Sequence, residues 1–173
     1  MKPIVLIGMS GVGKTYIGKK VAEALNFDFY DTDELIIRKN NASIEYLFET
    51  YGEKYFREEE KKILKEIIYK NRCVISTGGG IILDIENIDL IKSNGVIFYL
   101  YDNIENISNN LKFSNYKRPL LDIDNDLPMQ LKEMFFTREK LYLSACHYII
   151  DVSSKDEISI INEIAYNYKT FTC

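Results

Sequence analysis

Tryptophan is absent from the 173 residues, histidine occurs once, and proline and cysteine occur three times each. A single imidazole, His147, with no Cys-x-x-Cys pair, gives no donor set for a dedicated zinc site; at the mouth of an apolar run, His147 reads as a structural residue at a strand edge. The cysteines Cys73, Cys146 and Cys173 are odd in number, and Cys73 opens an apolar run. They read as thiols of a reducing compartment, so a cytoplasmic location is expected. No stretch reaches the roughly 18 to 20 apolar residues of a membrane helix, and the first residues lack the basic and apolar regions of an export signal. An excess of positive charge is missing too: 22 Lys and Arg against 26 Asp and Glu give a formal charge of -4. Neither nucleic acid nor an anionic membrane is an expected partner, and an anionic ligand must be met by local positive charge.

What is present is a core. With 46% hydrophobic residues, the chain suits one compact domain over residues 1–173 that needs no disulfide or structural metal. Short apolar runs alternate with amphipathic stretches, the pattern of βαβ units on a parallel sheet. Strands are expected at Pro3–Ile7, Phe27–Tyr30, Cys73–Ser76, Val96–Tyr101 and Tyr148–Val152. Helices are expected at Lys14–Leu25, Asp33–Lys39, Ile44–Tyr51, Glu53–Tyr69, Ile85–Lys92, Ile104–Leu111, Leu127–Leu143 and Lys155–Tyr168. Five strands separated by helices make a three-layer α/β domain. Only residues 112–126 lack clear periodicity, and loops of that length in a compact domain are usually functional lids or disordered segments.

The strongest chemical signal is Gly8-Met9-Ser10-Gly11-Val12-Gly13-Lys14-Thr15, a complete G-x-x-x-x-G-K-T between an expected strand and an expected helix. Its glycines, Gly11 and Gly13 among them, let backbone N–H groups turn inward onto phosphate oxygens, and the helix N-terminus adds its dipole. Lys14 can neutralise the β- and γ-phosphates of ATP, and Thr15 offers a hydroxyl to Mg²⁺. The dinucleotide pattern G-x-G-x-x-G is not matched. No N-K-x-D guanine-reading motif occurs, and Cys73-Val74-Ile75-Ser76 does not end in the acid of a Walker B strand. A kinase therefore fits better than a GTPase switch or a motor ATPase.

Three later features suit a second ligand. Asp31-Thr32-Asp33 follows the second strand on the ligand side of a parallel sheet, and could serve chemistry, helix capping or both. Ser76-Thr77-Gly78-Gly79-Gly80 would let backbone approach a substrate closely, although such a run is more often a plain turn. Arg57 and Glu60 share a helix face, so Glu60 could orient a guanidinium able to grip a carboxylate bidentately.

With these residues assembled, the chain resembles the shikimate kinases over nearly its whole length and in the same order. The matching pieces are the P-loop, Asp31-Thr32-Asp33, Phe56-Arg57-Glu58-Glu59-Glu60, Gly78-Gly79-Gly80, Arg118-Pro119-Leu120-Leu121, and Arg138 four residues before Tyr142. The resemblance implies a nucleoside monophosphate kinase type of fold, with a five-stranded parallel sheet ordered 2-3-1-4-5 and a mobile lid at about residues 112–126. It implies transfer of phosphoryl from ATP to the 3-hydroxyl of shikimate, a step toward chorismate and the aromatic amino acids. By the same resemblance Lys14, Asp33 and Arg118 are catalytic; Gly11, Gly13, Lys14, Thr15 and Arg118 hold ATP; and Asp33, Arg57, Glu60, Gly79, Gly80 and Arg138 hold shikimate. Thr15 and Asp31, the latter through water, would hold Mg²⁺. The expected partners are small molecules alone, and the expected state is a monomer.

The pattern departs from the family twice. Asn109-Asn110 stands where many of these enzymes carry an arginine shortly before the lid, and Arg138-Glu139-Lys140-Leu141-Tyr142 replaces Arg-x-Pro-Leu-Tyr. Two other readings stay open from sequence: a gluconate or nucleotide kinase of the same fold, and a nucleotide-binding scaffold without chemistry.

Overall fold

A computed structural model describes residues 1–113, 119–122 and 125–172. Five strands form its sheet: β1 (Ile4–Ile7), β2 (Asp28–Asp31), β3 (Cys73–Ser76), β4 (Val96–Tyr101) and β5 (Tyr148–Asp151). All pairings are parallel and the order is β2-β3-β1-β4-β5. Parallel strands are covered on both faces, so the inner ones need apolar residues at nearly every position. β1 and β3 are buried throughout, and β4 is buried up to Tyr101.

Alternation assigns those residues to two cores. Ile4, Leu6, Val74, Val96, Phe98 and Leu100 face the helices α1 (Lys14–Leu25) and α7 (Glu157–Thr172), whose Ile17, Val21, Ile160 and Ile164 complete that layer. Val5, Ile7, Ile75, Ile97 and Tyr99 face the other layer. It is built from α2 (Thr32–Asn40), α3 (Ile44–Ile67), α4 (Ile85–Asn94), α5 (Ile104–Lys112) and α6 (Leu127–Ala145). Tyr142 of α6 stacks on Tyr99, ring centroids 4.9 Å apart.

The helix starts have local causes. Asp31, Ser43, Asp84, Asn103 and Asp126 each accept a hydrogen bond from a backbone N–H of the first turn, which satisfies donors the helix itself leaves unpaired. The helices expected at Ile44–Tyr51 and Glu53–Tyr69 both lie within α3, which is broken where expected, at Gly52, with φ 82° and ψ 169°. Several element limits differ from expectation by one to four residues, and one short element is added. Because Asp31 is the cap, α2 begins at Thr32 rather than Asp33; α7 starts two residues late and runs on to Thr172; and residues Ile81–Leu83 form a 3₁₀ turn that has no signature of its own. Of the stretch 112–126, Lys112 closes α5, and residues 114–118 and 123–124 lie outside the described residues.

Candidate functional site

The motifs converge because each follows the carboxyl end of a strand: the phosphate loop after β1, Asp31 at the end of β2 and the glycine turn after β3. In an open parallel sheet that edge is where ligands bind.

The phosphate loop has the shape its glycines allow. Gly13 takes φ 93° as it precedes the first turn of α1, a conformation costly for any residue with a Cβ. Lys14 lies buried under the loop, and its Nζ donates to the Gly8 and Met9 carbonyls at 2.9 Å each. Thr15 Oγ1 donates to Asp31 Oδ2 at 2.7 Å, while Asp31 Oδ1 accepts from the N–H groups of Asp33 and Glu34 at 3.0 and 3.2 Å. Asp31 therefore caps α2 and binds the Thr15 hydroxyl at once. The paired hydroxyl and carboxylate oxygens are hard donors of the kind magnesium accepts beside phosphate and water.

Asp33 is not the cap, and its carboxylate turns toward the glycine turn. A methyl group at Gly78 would stand 2.8 Å from Asp33 Oδ1 and 2.5 Å from Glu60 Oε1. Only a glycine lets the two carboxylates and the chain come this close. Thr32, fully buried, accepts the Gly78 N–H at 2.9 Å, and Thr77 Oγ1 donates to the Leu6 carbonyl at 2.9 Å. From α6, Tyr142 Oη donates to the Gly79 carbonyl at 2.6 Å and Arg138 Nη1 approaches the same oxygen at 3.4 Å. The turn is thus fixed from three sides before any ligand arrives.

Arg57 extends from α3 over Gly80, where a Cβ would lie 2.5 Å from the guanidinium carbon. Its Nη1 pairs with Glu60 Oε2 at 2.9 Å, and its Nε and Nη2 donate to Glu53 Oε1 at 3.2 and 3.1 Å. Burial alone would lower the Arg57 pKa, but the Glu60 and Glu53 carboxylates more than offset it, and the group is held firmly charged. Glu60 is fully buried. Burial pushes its carboxyl up to about 7 despite Arg57, with the Asp33 charge adding to the rise. The two carboxyls and two guanidiniums form one compact charged cluster.

Two adjoining cavities run along this edge. One, of about 530 Å³, is lined by all six residues expected to hold the acceptor: Asp33, Arg57, Glu60, Gly79, Gly80 and Arg138. The other, of about 1310 Å³, is lined by Gly11, Gly13, Lys14, Thr15, Asp31 and Asp33. Ser10, Asp33, Ile44 and Gly79 line both. Arg118 lies outside the described residues. Sequence reasoning missed the apolar wall of the smaller cavity, chiefly Ile44, Phe48, Leu121 and Met134. Ile44 and Phe48 are four apart on a helix, a spacing that marks a shared face and does not say whether the face meets core or ligand.

A Gly-rich phosphate loop on a 2-3-1-4-5 sheet, with a second polar cavity beside it, defines a P-loop kinase fold. The shikimate kinase family profile matches residues 10–169. A shikimate kinase of Caldanaerobacter subterraneus is 41% identical over 169 residues, covering 97% of this chain and 96% of the relative. One from Caldicellulosiruptor saccharolyticus is 51% identical over 121 residues, 70% of each chain. The solved shikimate kinase of Acinetobacter baumannii, in complex with shikimate, superposes with a TM-score of 0.92 at 32% identity, covering 98% of this chain and 94% of that one. The chain belongs to the shikimate kinase family.

Proposed function

We propose that this protein transfers the γ-phosphoryl group of ATP to the 3-hydroxyl of shikimate, giving shikimate 3-phosphate and ADP. The observation that carries the reading is the meeting of the two cavities at Asp33: one is walled by the phosphate loop, the other by two guanidiniums and a glycine turn. Arg57 and Arg138 present planar forks suited to a carboxylate, while Asp33 and the backbone of Gly79 and Gly80 suit ring hydroxyls. A nucleotide acceptor would need amide groups to read a second base, and no Asn or Gln is among the described residues that line the smaller cavity.

Phosphoryl transfer needs positioning and charge stabilisation more than covalent help. Asp33 holds the acceptor hydroxyl toward the terminal phosphate and takes its proton as the new P–O bond forms and the bond to the ADP oxygen breaks. Lys14 exchanges its carbonyl partners for phosphate oxygens and stabilises the charge that builds on them. Thr15, and Asp31 through water, would hold Mg²⁺, which would neutralise the phosphate tail. The enzyme acts as a monomer in the cytoplasm on small soluble substrates. Among the described residues no helix is long and apolar enough to cross a membrane.

The test is ADP release by purified protein with Mg-ATP, offered shikimate, gluconate or a nucleoside monophosphate in separate reactions. Turnover with shikimate alone is expected. Faster turnover with either of the others would overturn the assignment.

A further inference from the structure

Tyr16 is an unusual residue to find beside a phosphate loop: a large aromatic, 57% exposed, immediately after Thr15 in the first turn of α1. Its hydroxyl donates to Glu157 in the first turn of α7, far away in sequence. The ring is therefore tethered at both ends, by the backbone of α1 and by α7, and it lines the larger cavity.

The direction of the phosphate tail follows from the two cavities. The transferable phosphate must sit where they meet, at Ser10, Asp33 and Gly79. Of the other residues lining the larger cavity, Asp31 and Glu34 carry carboxylates, which repel phosphate and suit a cation, whereas Gly11, Tyr16, Asn110 and Leu111 carry none. The N–H groups that face phosphate follow the loop in sequence toward Thr15, so the tail emerges at the next residue, Tyr16. Asn110 Nδ2 donates to the Gly11 carbonyl at 3.0 Å, which fixes α5 against the loop. With asparagines at 109 and 110, α5 turns an amide to the cavity, and Lys112 in its last turn does not line it. The flat face there belongs to Tyr16.

We propose that Tyr16 is a nucleoside-binding residue of the nucleotide site, its ring held by Glu157 as the surface on which the base and ribose rest. This rests on the kinase reading above, and it makes the affinity for nucleoside separable from the affinity for phosphate. Base–aromatic stacking is strong enough to be read by truncation.

Calorimetry of Mg-ADP and of Mg-tripolyphosphate, a phosphate tail without nucleoside, separates the two. Tyr16→Ala is expected to weaken ADP about 10-fold or more, the scale of one stacked base, while tripolyphosphate stays within about twofold. Tyr16→Phe keeps the ring and should hold ADP within about threefold of wild type. In turnover, Tyr16→Ala should raise KM for ATP and leave KM for shikimate unchanged. Unaltered ADP affinity in Tyr16→Ala, equal weakening of ADP and tripolyphosphate, or a Tyr16→Phe loss as large as that of Tyr16→Ala would each overturn the proposal. Both affinities are measured without the acceptor, so failure of the shikimate assignment would leave this comparison standing.

Discussion

Asp31 and Asp33 are two residues apart, and their positions, one the cap of α2 and the other in its first turn, separate their chemistry. Asp31 uses one oxygen on two backbone N–H groups and the other on Thr15, so it is committed to capping α2 and to the Thr15 hydroxyl. Asp33 keeps no capping duty, and Asp33→Asn should leave thermal stability nearly unchanged while lowering kcat about 100-fold or more if proton acceptance matters. Steady-state kinetics beside a melting curve checks both halves, and full turnover in Asp33→Asn would strip Asp33 of its role. Glu60 gives a pH signature of a different kind. Burial holds its folded carboxyl up at about 7 while the unfolded one keeps its ordinary value of 4.5, so between those values the unfolded chain releases a proton the folded chain keeps. Stability from this group is present below about 4.5 and is lost as pH rises through 7. Glu60→Gln removes the titration, so its Tm relative to wild type should climb between pH 5 and 8 in ligand-free protein. A constant difference across that range would mean that Glu60 ionises in the fold as easily as outside it.

At the scale of elements, β5 begins where a side chain substitutes for a strand. His147 Nδ1 accepts the Ile97 N–H at 3.0 Å, its own N–H donates to the Ile97 carbonyl at 2.9 Å, and the ring meets the edge of Phe171. Burial, then Lys2 and Lys92, lowers its pKa, and the accepting nitrogen must be unprotonated. His147→Ala should leave the Ile97 N–H without its partner and cost about 1–3 kcal/mol. A melting curve at neutral pH reads that as a drop of about 2–4 °C per kcal/mol for a chain of this size. Because the folded pKa is depressed, the stabilisation is present above the unfolded value of about 6.5 and is lost as pH falls through the folded one. The variant should therefore approach wild type in acid. The sequence carried this scale well wherever periodicity was strong: α1, β3 and β4 have the expected limits, and the break at Gly52 was marked by the glycine itself. It carried the 3₁₀ turn at Ile81–Leu83 poorly, because three apolar residues have no period. The site was legible where a residue type is chemically forced, as in the phosphate loop. The hold of Thr32 on Gly78 and of Tyr142 on Gly79 was not, since contacts across 46 and 63 residues leave no local pattern.

For the whole molecule, the two cavities should act as separately measurable sites. Any ligand that binds only the folded state stabilises it, by about 2.7 kcal/mol at a hundred times its Kd. Shikimate and Mg-ADP at that excess should each raise Tm by about 5–10 °C. Arg57→Lys should lose most of the shikimate shift at the same concentration, since lysine cannot form the planar fork, and keep the ADP shift. Loss of both shifts would show that the cavities are not independent. The structure also bears on how such an enzyme can change over generations. Its phosphate half is gripped largely by backbone, which every substitution inherits, whereas its acceptor half is assembled from side chains on α2, α3 and α6 that drift one codon at a time. A new acceptor could thus be acquired without relearning how to hold ATP. The exceptions are Ser10, Asp33, Ile44 and Gly79, which wall both cavities: a change at these positions is felt by both substrates, so they should be the slowest to vary when the acceptor does.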